Sequence, residues 1–220
     1  MPRLDTTGEA AILDLGDGEN RFSLDWMQEV NDLLDQVLAD PPPALVTTGT
    51  GKFYSNGLDV AESEGPVQLE ADYVHHVHRI YRRFLTLPMP TVAAINGHAF
   101  GGGALLAMAH DYRVMREDRG FFCFPEVHIG IPFTPGMAAL VQCKLDPATA
   151  RDAMLTGRRT GGADSARAGI VDAAVGAEEL IGHALSLATG QLPGHPATLG
   201  AVKSVMYAPA LAALDLPHRP

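Results

Sequence analysis

The stretch Thr91-Val-Ala-Ala-Ile-Asn-Gly-His-Ala-Phe-Gly-Gly-Gly-Ala-Leu-Leu-Ala-Met-Ala109 changes character twice. Its opening residues have the short, apolar, partly β-branched pattern of a buried strand. Gly101, Gly102 and Gly103 then break the run, and helix-forming apolar residues follow. Strand, tight turn and helix is the reading. The first backbone N–H groups of a helix have no partner inside it, and glycine puts no side chain over them. Such a turn can hold an anion, including one that exists only while a reaction proceeds.

The flanking sequence repeats this alternation. Residues 10–15 form a strand candidate, residues 16–20 a turn, and Ser23 offers a helix N-cap. Trp26, Met27, Val30, Leu33, Leu34, Val37 and Leu38 then recur at helical spacing until three prolines, Pro41 to Pro43, stop the helix. Residues 44–48 read as the next strand, followed by the loop Lys52-Phe-Tyr-Ser-Asn-Gly-Leu-Asp59. A helix is expected over residues 69–87, with Tyr73, Val77, Ile80, Tyr81 and Phe84 on its apolar side. Short strands follow at 112–115 and 121–124, and Asp146-Pro147 opens a helix reaching about residue 155. A short helix at 163–168, a strand at 170–174 and helices at 177–189 and 198–206 complete the pattern. Strands alternating with helices imply crossover connections and a largely parallel sheet, hence an α/β fold. The expected organisation is a core over residues 1–192 and a short helical tail over 193–220, hinged at Pro193 to Pro196.

Composition narrows the function. The chain has 220 residues, 46% of them hydrophobic and 19% charged, enough for one domain with a substantial core. A formal net charge of −10 argues against a nucleic-acid partner. Arg79, Arg82 and Arg83 form a local basic cluster, read as a solvated helix face. Cys123 and Cys143, both in apolar surroundings, are expected to be buried free thiols in a reducing compartment. The opening residues lack the apolar core of a signal peptide, and no stretch reaches membrane-spanning length without a polar or glycine break. A cytoplasmic protein is expected.

Five motifs in order carry a family resemblance: Phe53-Tyr-Ser-Asn-Gly-Leu-Asp59, Ala94-Ile-Asn-Gly-His-Ala-Phe-Gly-Gly-Gly103, Asp111-Tyr-Arg113, Pro125-Glu-Val-His-Ile-Gly-Ile131 and Gly169-Ile-Val-Asp172. Together they resemble the crotonase superfamily, the enoyl-CoA hydratase/isomerase family. The resemblance implies a crotonase-like spiral of ββα units with C-terminal helices, assembled as trimers or paired trimers. It implies an acyl-CoA thioester substrate, with coenzyme A entering as part of that substrate and no cofactor permanently bound. It assigns two oxyanion donors, the backbone N–H groups of Leu58 and Gly102. Removing a proton beside a thioester carbonyl puts negative charge on its oxygen, and two preorganised donors stabilise that enolate more than the neutral ground state. Along the same loops, the resemblance suggests coenzyme A contacts at Asn20, Arg21, Phe22, Lys52, Ser55, Asn56, Gly57, Asp59 and Gly101. Asp59 is further expected to fix its own loop through its carboxylate.

The acid/base complement selects the reaction. Hydratases of this family resemble one another in using two glutamates, and the positions they would occupy are Leu105 and Glu126. A leucine cannot activate water. One carboxylate suffices for a 1,3-proton shift: Glu126 takes a proton from C2 of a 3-enoyl thioester and returns it at C4. This pattern looks like that of the Δ3,Δ2-enoyl-CoA isomerases, and residues 110–120 are especially like the plant and peroxisomal-type members. Glu126 lies among Phe121, Phe122, Phe124, Val127, Ile129 and Ile131, so burial should raise its pKa toward neutrality. The alternatives are another crotonase-type reaction (hydratase, thioesterase or decarboxylase), with Glu62 or Glu64 as a second carboxylate, and an inactive acyl-CoA-binding relative.

Other signals carry less. Gly49-Thr-Gly-Lys52 lacks the first glycine of a phosphate-binding loop, and residues 97–103 lack a Gly-x-Gly opening. His75, His76 and His78 have no partner spacing for a metal, so no metal site is expected. Ser55 and Ser165 have no nucleophile elbow. His98 and His128 are expected near the site, chiefly as packing residues. Only about one helix is expected after Pro196.

Overall fold

The computed structural model describes residues 1–6, 8–60, 69–191 and 195–218. Glu62 and Glu64, and part of the expected hinge, lie outside these residues. In chain order the strands and helices begin with β1 (Arg3–Thr6), β2 (Ala11–Asp14), β3 (Arg21–Phe22), α1 (Leu24–Ala39), β4 (Leu45–Thr48), β5 (Phe53–Ser55) and β6 (Gly57–Leu58). The middle of the chain forms α2 (Ala71–Thr86), β7 (Thr91–Ile95), β8 (His98–Phe100), α3 (Gly102–Met108), β9 (Tyr112–Arg116) and β10 (Phe122–Cys123). Then come α4 (Glu126–Ile129), α5 (Pro135–Lys144), α6 (Pro147–Thr156), α7 (Gly162–Arg167), β11 (Ala173–Val175), α8 (Leu180–Thr189), α9 (Pro196–Met206) and α10 (Ala208–Leu214).

Strand order shows how the chain winds. A large sheet runs β1-β2-β4-β7-β9-β11, and a small one runs β10-β8-β5. Every pairing is parallel except β1 with β2. The three circuits that begin at β4, β7 and β9 therefore each add one strand to the large sheet, then one to the small sheet, then a helix, while β3 of the first circuit pairs with β6. This is the expected α/β spiral of ββα turns. Alternate side chains of a strand face opposite ways. Along β7, Ala93 and Ile95 enter the main core with α1, α2 and α3, while Val92 and Ala94 enter a second core with Leu180, Ala184 and Ala188 of α8. With both faces covered, all five β7 residues are buried, which is why the segment reads as a continuous apolar run.

Local signals set most boundaries. Ser23 caps α1 by accepting from the Trp26 N–H at 3.2 Å, and the Trp26 indole donates to the Leu15 carbonyl at 3.1 Å. Asp146 caps α6 through the N–H groups of Ala148 and Thr149. Thr134-Pro135 opens α5 in the same way, accepting from the Met137 N–H at 3.1 Å, although no helix was expected there. The last strand, expected at 170–174, is β11 at Ala173–Val175. The reason is local: the N–H groups of Ile170 and Val171 turn back to the Ser165 carbonyl, closing the end of α7.

The segment after Pro196 holds two helices rather than one, and both are tied to the core. The ammonium of Lys203 is buried and donates to the Met89 carbonyl at 2.7 Å and to Asp111 at 2.6 Å. Arg82 pairs with Asp215, and His78 donates from Nδ1 to the Leu214 carbonyl at 2.9 Å while its Nε2 accepts from Thr134 at 2.8 Å. His78 is thus a packed core histidine. Two of the three clustered arginines bind acids instead of facing only solvent, Arg83 pairing with Asp35 of α1. Cys143 is exposed, not buried, because it lies on the outward side of α5; Cys123 is buried. Among the described residues no single helix is long and apolar enough to cross a membrane.

Candidate active site

Two loops meet where β6 and the start of α3 come together. Gly57 has φ +82°, and a Cβ on it would lie 2.6 Å from both the Gly102 nitrogen and the Phe100 carbonyl oxygen. Gly103 is packed as tightly, with its Cβ position 2.2 Å from the Ser55 carbonyl oxygen. Only glycine permits this approach. Gly102 is the first residue of α3, so its N–H has no intrahelical acceptor. Leu58 sits across the same seam, its Cδ2 3.1 Å from the Cβ position of Gly102.

Both loops are held from outside. Ser55 accepts from the Gly57 N–H at 3.1 Å and donates to the Asn20 carbonyl at 2.7 Å. Asn20 adopts φ +50°, and its amide donates to the Tyr54 carbonyl at 3.0 Å. The Asp59 N–H donates to the Tyr73 hydroxyl at 2.8 Å, and that hydroxyl donates to the Phe22 carbonyl at 2.9 Å. The loop is thus fixed through the Asp59 backbone, while the Asp59 side chain is exposed. On the other side, Tyr81 donates to the Gly102 carbonyl at 3.1 Å. The C-terminal end of α3 is anchored by a buried chain in which Tyr54 donates to Thr47, Thr47 to Nε2 of His110, and Nδ1 of His110 to the Leu106 carbonyl. Burial holds His110 neutral, its pKa lowered to about 3.

Glu126 begins α4 beside this seam. It is 8% exposed, and its Oε1 lies 3.6 Å from the Cβ position of Gly101. Its Oε2 is buried with no hydrogen-bond partner among the described residues. Burial raises its pKa to about 7, only partly offset by its own backbone N–H. Glu126 helps to line a 420 Å³ cleft whose other walls include Val127, Ile131, Phe133, Met154 and Leu155, and it is the single carboxylate among the described lining residues. A larger cavity of 640 Å³ lies elsewhere, beside α6 and α7. It is lined by arginines, includes the ion pairs Arg158–Asp152 and Arg167–Asp164, and contains none of the expected site residues.

Not every expected contact is available as a side chain. Phe22 is fully buried and stacks on Trp26 with ring centroids 4.9 Å apart, and Asn20 and Ser55 are buried and occupied by loop hydrogen bonds. Those three can meet a ligand only through their backbone. Arg21, Lys52 and Asn56 remain at least partly exposed, with Arg21 2.5 Å from Glu19, and Asn56 donating to the same carboxylate at 3.3 Å. His98 accepts the Phe121 N–H at 3.2 Å, and His128 donates to the Thr156 carbonyl at 2.8 Å, so neither orients Glu126. Leu105 is buried in the main core. Among the described residues no group of three His, Cys, Asp or Glu side chains is placed to hold a metal.

Tyr73 and Tyr81 were legible only as members of the apolar side of a helix. A buried phenol needs a hydrogen-bond partner, and that requirement was the signal available. The motifs Asp111-Tyr-Arg113 and Gly169-Ile-Val-Asp172 turn out to bind each other: the Arg113 N–H donates to Asp172 at 2.7 Å and its Nε to the Ile170 carbonyl at 2.8 Å. They brace β9 and β11, and none of their residues is among the described residues lining the cleft.

Comparison with known proteins bears on the family and the fold. The family model for enoyl-CoA hydratase/isomerase matches residues 12–215. The peroxisomal enoyl-CoA delta isomerase 2 of Arabidopsis thaliana is 38% identical over 184 residues, covering 79% of this chain and 77% of that protein. An enoyl-CoA hydratase/isomerase family protein from Pseudomonas syringae superposes with a TM-score of 0.89 at 25% identity, covering 97% of this chain and 93% of the other. A probable enoyl-CoA hydratase from Mycobacterium tuberculosis gives 0.87, also at 25% identity, over 97% and 91%. A parallel ββα spiral, a glycine seam at a helix start and a family match along nearly the whole chain lead to one assignment: the protein is an enzyme of the enoyl-CoA hydratase/isomerase family, with the crotonase fold.

Proposed function

We propose that the protein is an enoyl-CoA delta-isomerase, converting a 3-enoyl-CoA to the conjugated 2-enoyl-CoA. The thioester oxygen sits between the N–H groups of Leu58 and Gly102. Glu126, as carboxylate, takes a proton from C2; electron density moves onto the thioester oxygen as a dienolate; the carboxylic acid then returns the proton at C4. The reaction is redox-neutral and consumes no water, so it needs no resident cofactor. Coenzyme A is the handle of the substrate, held along the loops that carry Arg21, Lys52, Asn56 and Gly57.

The observation that carries this reading is the Glu126 carboxyl, buried with one oxygen that has no hydrogen-bond partner among the described residues, and the single carboxylate among the described residues that line an apolar cleft. A pKa of about 7 makes it both an adequate base and an adequate acid near neutral pH. Leucine at position 105 removes the partner that a hydratase would use. The 38% identical Arabidopsis relative, named as a delta isomerase, supports the same choice. The reading includes assembly into trimers or paired trimers, to be checked by mass in solution. It also includes a reducing, cytoplasmic setting, in keeping with two free cysteines.

The test offers one preparation both a 3-enoyl-CoA and a 2-enoyl-CoA. Isomerisation should greatly exceed hydration, and Glu126→Gln should lose isomerisation while still binding acyl-CoA. Near-normal turnover by Glu126→Gln, or hydration as the faster reaction, would overturn the assignment.

A further inference from the structure

Each loop that brings an amide to the proposed oxyanion site is gripped by a tyrosine hydroxyl, and both tyrosines stand on one helix. The Tyr73 hydroxyl accepts from the Asp59 N–H at 2.8 Å, and the Tyr81 hydroxyl donates to the Gly102 carbonyl at 3.1 Å. In both cases the bonded group belongs to the peptide unit immediately after Leu58 or Gly102. Upstream, the peptide unit before each donor's own is held as well: the Gly57 N–H binds Ser55 at 3.1 Å, and the Gly101 N–H binds the Cys123 carbonyl at 3.0 Å. Leu58 and Gly102 are therefore each anchored on both sides.

We propose that Tyr73 and Tyr81 are paired positioning residues, with α2 as the rigid bar that sets the relation between the Leu58 and Gly102 amides. Eight residues of helix separate their Cα atoms by about 12 Å along the axis, a distance the helix hydrogen bonds keep constant. The bar itself is fixed. Tyr81 is fully buried and lies against Phe22, Tyr73 also donates to the Phe22 carbonyl, and His78 and Arg83 tie the same helix to α10 and α1. The two loops come from different circuits of the spiral; they touch at the glycine seam, and α2 adds a second, shared support that limits variation between their amides. A transition-state oxyanion is sensitive to that variation, because its stabilisation depends on donors already placed before charge appears. Burial favours the neutral phenol in both cases, so each hydroxyl keeps the proton it donates.

This inference rests on the reading of Leu58 and Gly102 as oxyanion donors, and the experiment separates the two. A bound 3-oxoacyl-CoA ionises to its enolate, and the ultraviolet band of that enolate reports the strength of the oxyanion site whichever reaction the enzyme performs. In the wild type its pKa should lie below that of the free thioester. No lowering would overturn the donor assignment and this proposal with it. Given a lowered value, Tyr81→Phe and Tyr73→Phe should each raise it by roughly half a unit to one unit. Each should lower kcat on the order of tenfold with KM nearly unchanged, and the double variant should not exceed the sum by much. Tyr207→Phe, which removes a buried hydroxyl bound to Lys144 far from both loops, should lower Tm but leave kcat and the enolate pKa alone. Tyr73 is only partly buried, so its variant carries the test if Tyr81→Phe does not fold. Folded tyrosine variants with wild-type kcat and enolate pKa would overturn the proposal, as would losses matched by Tyr207→Phe.

Discussion

Gly57 and Gly102 meet backbone to backbone. A methyl on Gly57 would fall 2.6 Å from the Gly102 nitrogen, and one on Gly102 would fall 3.2 Å from the Gly57 Cα. Two loops far apart in sequence thus touch backbone to backbone, with the Leu58 side chain and the Tyr81 hydroxyl also against Gly102.

Gly57→Ala should therefore act on chemistry more than on folding. The new Cβ occupies space held by the Gly102 amide at a φ that L-residues disfavour by about 1–2 kcal/mol. The loops must separate. We expect kcat for 3-enoyl-CoA isomerisation to fall on the order of a hundredfold, with Tm lower by a few degrees; steady-state kinetics and thermal melts on one preparation check both.

Acidity should pull rate and stability in opposite directions. Glu126 must be ionised to remove the C2 proton, so kcat/KM should rise with pH and level off above about 7. Stability runs the other way. A carboxyl whose folded pKa is raised binds its proton more tightly in the folded state. That contribution is complete below the unfolded pKa near 4.5 and is lost as pH rises through about 7. Glu126→Gln removes the ionisation, so above pH 7 the variant should be more stable than the wild type by up to about 3 kcal/mol. Urea unfolding at pH 5 and pH 8 would expose the crossover; equal differences at both values would contradict it.

The C-terminal helices should depend on one buried cation. Lys203→Met removes the donor that serves the Met89 carbonyl and Asp111 together. Asp111 keeps its bonds from Thr91, so the expected loss is about 3 kcal/mol, at the lower end for a broken buried pair. Equilibrium unfolding measures it.

Met154 borders the cleft at Glu126, opposite Ile131 and Phe133. Met154→Trp should narrow the path of the acyl chain. kcat/KM for a long 3-enoyl chain should fall on the order of tenfold, while a short chain changes by less than about threefold. A series of chain lengths checks the expectation, and a uniform loss would place the chain elsewhere.

Much of the architecture was legible because one physical rule served many segments. A strand buried on both faces must be continuously apolar, as residues 91–95 are, and a helix packed on one side must repeat its apolar residues, as Trp26 to Val37 do. The short strands β5, β6 and β8 carry too few residues for a period to show, whereas β10 falls inside the strand expected at 121–124. Helix α5 was missed although Thr134-Pro135 repeats the cap-and-proline signal read at Asp146-Pro147, because its apolar residues have almost no helical periodicity. At Asp59 the loop is held through its N–H by Tyr73, a contact from another element that the turn sequence does not show.

Composition and local pattern by themselves determined the α/β winding, the glycine turn at a helix start and the isolation of Glu126 among apolar neighbours, since each follows from short-range sterics and hydrophobic periodicity. Tertiary structure alone decided that Gly57 touches Gly102, that the Glu126 carboxyl is buried beside an apolar cleft, and that Phe22 serves the core. Those relations join segments many residues apart, and only the packing of successive spiral turns brings them within contact distance.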